Sequence, residues 1–454
     1  MTWNLIDMLA VDAAKLTTLG SRLHGSSGSS LPGKAALLVS PSVLKDLSSG
    51  VRKKIFAVCG TNGKTTTNNV LRHMLEAEGN TVVCNHLGAN MLWGVTGAFT
   101  ERAGLTGRLS ADYACVEVDE ASARKVFSAM KPDYLILTNL FRDQLDRYGE
   151  IDTTIKLLLE AIREVPDMKL IINADDPLSV YLAEESGNPF VTYGISEPVE
   201  AVGKESGNTD TEVREGRFCK RCGAPLLYSF YHFGQMGVYR CSSCAFSRPI
   251  PSYTASEIRL DGGVSFTVNG HRIKTDFRGL YSVYNLLAVY SALKEDEHDC
   301  SLFSETLKTF TPGFGRNEIF RFGKQKVLLN LAKNPAAFNQ NIDAMLQDSA
   351  EKDVIIAIND HAPDGKDISW LWDVEFDRIA DPSIRSVTVS GIRALDMQLR
   401  LKYAQIESET AETPEMAIEK KLASGSENLY VLVNYTALFP AHQFLTKRKK
   451  ERDA

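Results

Sequence analysis

From residue 51 onward the chain alternates short, almost unbroken apolar runs with longer stretches whose apolar residues recur at helical spacing. IFAVCG, ACVEVD, YLILTNL, KLIINA and FVTYG make up a first series that closes near residue 200. Runs of this length, apolar toward both faces, are how strands of a parallel sheet read when helices cover both sides. A doubly wound α/β core is therefore predicted. SEIRLDGGVSFTVNG then returns to strand-like alternation and YNLLAVYSALKE to a helix, after which TPGFGR reads as a boundary. A second series, VLLNLA, VIIAIND, SVTVSG and NLYVLVNY, predicts a smaller C-terminal α/β domain. Two stretches break the rhythm. Residues 1–50 carry a helical pattern followed by GSSGSSLPGKAA, a Gly/Ser-rich turn region with little core-forming power, and about 206–250 is polar and then cysteine-bearing. The expected organisation is a short N-terminal appendage (1–50), a central domain (51–318) with an insertion at about 206–250, and a C-terminal domain (319–454) ending in a frayed, solvated KRKKERDA tail.

Length and charge narrow the classes. A chain of 454 residues has room for roughly two or three domains. Its 44% hydrophobic and 24% charged residues are ordinary for a globular protein, and a net charge of -6 offers no basic field to a nucleic-acid backbone. The first residues lack a basic n-region, and no stretch nears the roughly 20 apolar residues of a membrane span, so a cytoplasmic protein with no membrane span is expected. Of eight cysteines, four form two CxxC pairs. Cys59, Cys84, Cys115 and Cys300 are scattered and read as small buried apolar side chains.

Three stretches carry chemistry. Gly60-Thr61-Asn62-Gly63-Lys64-Thr65-Thr66 lies between a strand and a helix, as a phosphate loop must: backbone N–H groups and the helix N-terminus face an anion, Lys64 adds a point charge and Thr65 a hydroxyl for Mg²⁺. Val58 stands where the long motif has a glycine, so the match is to the short GxxGKT form; the alternative is a turn with an exposed lysine. Cys219-x-x-Cys222 and Cys241-x-x-Cys244, 18 residues apart, have the spacing of a zinc ribbon. Four thiolates with no open position imply structural Zn²⁺; a redox dithiol is the alternative. Residues 360–373 place Asp360, Asp364, Asp367, Asp373, His361 and two tryptophans past a strand end, where α/β folds gather function, unless they are a solvated acidic turn.

GTNGKTT, EVDE at 117–120, TNLFRDQLDRYGE at 138–150, NADDP at 173–177, YNLLA at 284–288 and Gly315-Arg316 together resemble, in order and spacing, the Mur ligases. That resemblance implies ATP-driven activation of a carboxylate as an acyl phosphate, which an amine then attacks. It further implies that Lys64 holds the β- and γ-phosphates, Thr65 and Glu117 the Mg²⁺, Asn285 and the Asn173–Asp175 segment the adenosine, and that Arg316 faces the nucleotide. On the residues alone, Glu117 could equally cap a strand end and Asn285 its own helix. Asp143-Gln144-Leu145-Asp146 lacks the metal-binding histidine that amino-acid-adding members carry, and the N-terminal segment is short for a uridine-nucleotide domain. With the ribbon and the DGKDISW stretch, these departures resemble an amidating branch of the family. Its implied reaction is amidation of the α-carboxylate of D-glutamate in the stem peptide of lipid II, at the inner face of the membrane. Ammonia is implied to come from a GatD-type glutamine amidotransferase subunit, with Asp367 reaching across to orient the catalytic histidine of that partner. The competing readings are a Mur- or folylpolyglutamate-type ligase that adds an amino acid, and a non-catalytic ATP-binding scaffold.

Overall fold

The computed structural model of the chain describes residues 5–23, 30–86, 88–142, 151–199, 215–313 and 315–453. The expected motif segment 143–150, including Gln144, and the start of the insertion lie outside the described residues.

The first apolar series forms β1 (Val51–Cys59), β2 (Val82–Cys84), β3 (Ala111–Glu117), β4 (Tyr134–Leu137), β5 (Lys169–Asn173) and β6 (Phe190–Ile195). The insertion forms a separate antiparallel hairpin, β7 (Leu226–Phe233) and β8 (Met236–Cys241). Then come β9 (Tyr253–Arg259), β10 (Val264–Val268) and β11 (His271–Thr275), which complete a nine-stranded sheet of order β11-β10-β9-β6-β5-β4-β1-β3-β2. Its strands run parallel from β2 to β9, and β10 and β11 add an antiparallel edge. Residues 55–59 of β1 are all buried because helices pack on both faces, which is why the strand reads as a continuous apolar run rather than an alternation. β2 is only three residues long, too short to stand out in the apolar pattern.

A second sheet holds β12 (Glu318–Phe322), β13 (Gln325–Leu331), β14 (Lys352–Ala357), β15 (Ile384–Ser390), β16 (Glu409–Thr410) and β17 (Asn428–Val433), in the order β12-β13-β17-β14-β15-β16. All neighbours are parallel except the edge hairpin β12-β13.

Two expectations need correction. The N-terminal segment is not an appendage: Ala10, Val11, Ala36, Val43 and Leu47 are fully buried in the core of the large sheet. The helix Leu31–Val39 also occupies much of the stretch read as a turn, with Pro32 in its first turn, where a missing N–H costs nothing. The basic C-terminus is likewise helical, the last turns of Tyr435–Asp453. Of the scattered cysteines, Cys59, Cys115 and Cys300 are buried and Cys84 half-buried, and burial pushes the Cys84 thiol up to about 12.

Candidate active site

The loop after β1 turns into the helix Lys64–Ala77 through Gly63, whose φ of +88° favours glycine; a Cβ there would lie 2.2 Å from Asn285 Oδ1. The N–H groups of Gly60, Thr61 and Asn62 are already taken, by Glu120 Oε1 (3.1 Å), the Asn139 carbonyl (2.9 Å) and Asn139 Oδ1 (2.9 Å). The first-turn N–H groups of the helix, Lys64 to Thr66, have no intrahelical acceptor and open on a cleft of about 580 Å³ between the two sheets.

Around that mouth the charges are paired in advance. Lys64 Nζ bonds the Gly60 carbonyl and lies 3.2 Å from Glu120 Oε1, both side chains nearly buried. Burial pushes the Glu120 carboxyl up, and the neighbouring Lys64 opposes that shift. Thr65 Oγ1 donates to Glu117 Oε2 at 2.7 Å, while Asn90 Nδ2 fixes the other carboxylate oxygen at 2.8 Å. Arg316, on the segment entering the second sheet, donates to Thr65 Oγ1 at 3.4 Å. Burial pulls the Arg316 guanidinium down, and Glu117 supports its charge. A hydroxyl and an oriented carboxylate meeting this closely fit a Mg²⁺ ligand pair. Asn285 lines the same cleft, as do Asn330 and Lys333 from the second sheet.

The structure therefore brings together Lys64, Thr65, Thr66, Glu117, Asn285 and Arg316. Asn173 and Asp175 go elsewhere. Both are fully buried and neither lines the cleft. Asp175 accepts from Ile195 N (2.9 Å), Tyr284 Oη (2.7 Å) and Arg248 Nε (2.5 Å), so its carboxylate is saturated by its own chain. Its carbonyl accepts Gly237 N at 2.9 Å, and Asp176 beside it caps the helix Pro177–Ser186. This pair braces the inserted hairpin against the sheet.

Glu120, Asn90 and Asn334 escaped the sequence reading. Glu120 was visible within EVDE without an assigned partner. Asn334 caps the helix Pro335–Leu346 (Ala337 N to Oδ1, 2.9 Å) and exchanges amide hydrogen bonds of 3.2 and 3.3 Å with Asn62, tying the phosphate loop to the second sheet. The dipeptide Asn334-Pro335 is a helix-start signal that could have marked it.

The ribbon cysteines converge. Sγ atoms of Cys219, Cys222, Cys241 and Cys244 all lie within 4.8 Å of one another, with Cys219–Cys244 at 3.6 Å and Cys222–Cys241 at 3.4 Å. A tetrahedral zinc with Zn–S near 2.3 Å sets neighbouring sulfurs about 3.8 Å apart, so the group fits. The N–H groups of Ser243 and Cys244 both point at Cys241 Sγ (3.3 Å), and the Ser243 bond leads in lowering that thiol to about 6.

In the acidic loop neighbouring carboxylates take opposite roles. Asp364 is buried, with Oδ1 accepting Thr436 N at 2.8 Å at the start of the last helix. Asp367 is half-exposed; its Oδ1 accepts Ser369 N at 2.8 Å, and that bond leads in holding its carboxyl below the usual range. Asp373 pairs with Arg142 at 2.5 Å, joining this loop to the end of the first sheet. Beside it the helix Ala394–Tyr403 exposes Leu395, Leu399 and Tyr403, and Tyr403 packs edge-on against exposed Trp372, centroids 5.4 Å apart.

A phosphate loop at the end of a parallel strand, roofed by a second α/β sheet that lends polar side chains to the cleft, defines an ATP-dependent ligase of the Mur type. The fold matches that of a pseudomurein peptide ligase type C from Methanothermus fervidus at a TM-score of 0.67, with 22% identity over 89% of this chain and 80% of that one. Residues 58–225 match the Mur ligase middle domain, and residues 331–438 match the MurT ligase C-terminal family. The Staphylococcus aureus protein named lipid II isoglutaminyl synthase (glutamine-hydrolyzing) subunit MurT is 34% identical over 398 residues, 88% of each chain. Its namesake in Streptococcus pneumoniae is 31% identical over 93% of each. The chain belongs to the MurT family.

Proposed function

We propose that this chain is the synthetase half of a two-chain enzyme that amidates the α-carboxylate of D-glutamate in the stem peptide of lipid II, giving D-isoglutamine. The observation that carries the ATP half of this reading is the cluster of Lys64, Thr65, Glu117 and Arg316 at one helix N-terminus, reached from both sheets. Mg²⁺ bound by Thr65 and Glu117 would neutralise charge on the transferring phosphoryl group. Lys64 leaves Gly60 and Glu120 for the β- and γ-phosphate oxygens, a move eased by the raised pKa of Glu120, which can take up a proton as its partner departs. Arg316 follows the charge as it spreads over the transferring group. The carboxylate of the substrate attacks the γ-phosphorus and ADP leaves; ammonia then attacks the acyl carbon of the resulting acyl phosphate, the nitrogen gives up a proton and phosphate leaves. Asn285 lies against the loop in a place suited to the adenosine. In this reading the working units are residues 51–318, with segment 1–50 packed into their core, and 319–454, with zinc held by the four ribbon cysteines.

Ammonia is supplied by a GatD-type glutaminase. Asp367, kept ionised by Ser369 and left half-exposed in the loop whose exposed Trp372 packs against Tyr403, supports a second chain docking here and using this carboxylate to orient its histidine. Phosphate release with lipid II and ammonium chloride, compared with free amino acids as nitrogen donors, tests the reading. Release should depend on lipid II and ammonia together; equal or faster release with an amino acid would make the chain an amino-acid-adding ligase instead.

A further inference from the structure

The N-terminal helix Leu5–Leu23 turns its apolar side outward. Between residues 5 and 21 the exposed positions are Leu5, Ile6, Leu9, Leu16 and Leu19, every one of them apolar, whereas Asp7, Asp12, Lys15, Thr17 and Thr18 are buried or half-buried. At 100° per residue Leu5, Leu9, Leu16 and Leu19 fall on one stripe, with half-buried Asp12 in its middle. Its packed neighbour, the helix Leu31–Val39, exposes Leu31, Leu38 and Val39, with Lys34 the one charged residue among its exposed positions. Lys34 Nζ lies 5.1 Å from the ring centroid of Trp93, itself 43% exposed.

The helix Leu31–Val39 is fixed at the cleft rim, and Leu5–Leu23 packs against it. A Cβ on Gly33 would fall 1.8 Å from the Trp93 carbonyl oxygen, so only glycine lets the two backbones come so close. Ser30 and Met91, the residues leading into Leu31–Val39 and Leu92–Arg102, line the same cleft as the phosphate loop.

We propose that this face docks on the surface of a lipid bilayer, the helix lying in the plane of the headgroups, and so presents the cleft to a membrane-held substrate. The proposal rests on lipid II being that substrate. An exposed leucine stripe on a helix packed against the one whose lysine extends over a half-exposed tryptophan is the chemistry of an interfacial surface. A second copy of the chain fits less well. Leu5, Leu9, Asp12, Leu16 and Leu19 are alternately four and three residues apart, the spacing of a coiled-coil seam, but Asp12 is its midpoint. Parallel or antiparallel, a pair would press Asp12 against its own copy. At headgroup depth the Asp12 carboxylate stays hydrated while the flanking leucines enter the acyl boundary. The net charge of -6 gives no general attraction to anionic lipid, so docking rests on apolar burial and depends little on salt.

The test is sedimentation of the full chain with vesicles of phosphatidylcholine and phosphatidylglycerol, without nucleotide. The wild-type chain should sediment. Leu9→Asp with Leu16→Asp should cut partitioning about tenfold or more, and Asp12→Leu should raise it, a gain that misfolding would not produce. The double variant should lose turnover by a similar factor on vesicle-embedded lipid II yet keep it on a short-chain, water-soluble analogue. A wild-type chain that stays in the supernatant, or a double variant that sediments equally well, overturns the proposal. So does a concentration-dependent dimer that the double variant abolishes while sedimentation is unchanged. Failure to amidate either form of lipid II would sink the substrate reading instead, with sedimentation still deciding the docking face.

Discussion

The phosphate-loop cleft and the acidic loop past β14 both gather charge at strand ends, yet they treat it in opposite ways. At the helix mouth the charged groups already have partners from their own chain: Lys64 with Glu120, Glu117 with Thr65 and Asn90, Arg316 with Thr65. In the acidic loop Asp364 is consumed by Thr436, whereas Asp367, three residues on, is steadied by Ser369 and left half-exposed. A site that one chain completes by itself can be buried and saturated. The role we propose for Asp367 toward another chain needs a carboxylate held ionised and kept in view.

The widest separation between the two regions should come from Lys64→Ala. Removing the charge that faces the phosphates is expected to lower ATP-dependent amidation by about three orders of magnitude or more with either glutamine or ammonia as nitrogen source, read as phosphate release. The buried Glu120 left behind takes a proton, so the fold should survive, as a thermal melt would register. Asp367→Asn should be selective. Glutamine-driven amidation by the assembled pair is expected to fall by about two orders of magnitude or more while ammonia-driven turnover stays within about twofold, because the wrong imidazole tautomer disables only the glutaminase. Loss of both activities would move Asp367 into the synthetase site and erase the contrast. Asp364→Asn should show the reverse, a loss of about 1–2 kcal/mol of stability through the weakened helix cap with no preference between nitrogen sources.

Smaller effects probe the inserted hairpin. Chelation of zinc, or Cys222→Ser at the exposed ligand, should release the β7–β8 hairpin and lower the melting midpoint by several degrees, since the brace from Asp175 to Arg248 and Gly237 depends on its position. Metal content read by elemental analysis should fall in parallel from one zinc per chain. His232, in β7, is buried, neither ring nitrogen has a hydrogen-bond partner among the described residues, and burial pushes its pKa down to about 4. Between pH 6.5 and about 4 the unfolded imidazole binds a proton that the folded one refuses. The stabilisation is thus whole above pH 6.5 and drains away as the pH falls, by at most about 3 kcal/mol. His232→Phe should flatten that acid limb of the stability curve, measured by denaturant titration across the range.

Local signals were legible in the chain itself. Apolar runs buried on both faces marked the long strands, and glycines framing Lys64 between a strand and a helix marked the loop that opens on the cleft. The CxxC spacing marked a group of thiols that do meet within 4.8 Å. Each is written within a few residues, or in the separation of two short motifs, because backbone geometry and period decide it. The end of the GSSGSSLPGKAA stretch, residues 31–36, misled for the same reason: its glycine, proline and serine neighbours are turn signals, and only contact with the Trp93 backbone makes Gly33 a packing residue in a helix.

What tertiary structure alone decided is who partners whom. Asp175 looked like part of a nucleotide site but turns inward, because its donors arrive from Ile195, Arg248 and Tyr284, 20, 73 and 109 positions away. Glu120 reaches Lys64 across 56 positions, and Asp364 was separated from Asp367 by a threonine 72 positions further on. Residue type and spacing declare that a carboxylate is present. Whether it is satisfied within the chain, and so structural, or left for a ligand or another chain depends on donors that only folding brings near, since a hydrogen bond is settled by distances of about 3 Å that no local pattern encodes.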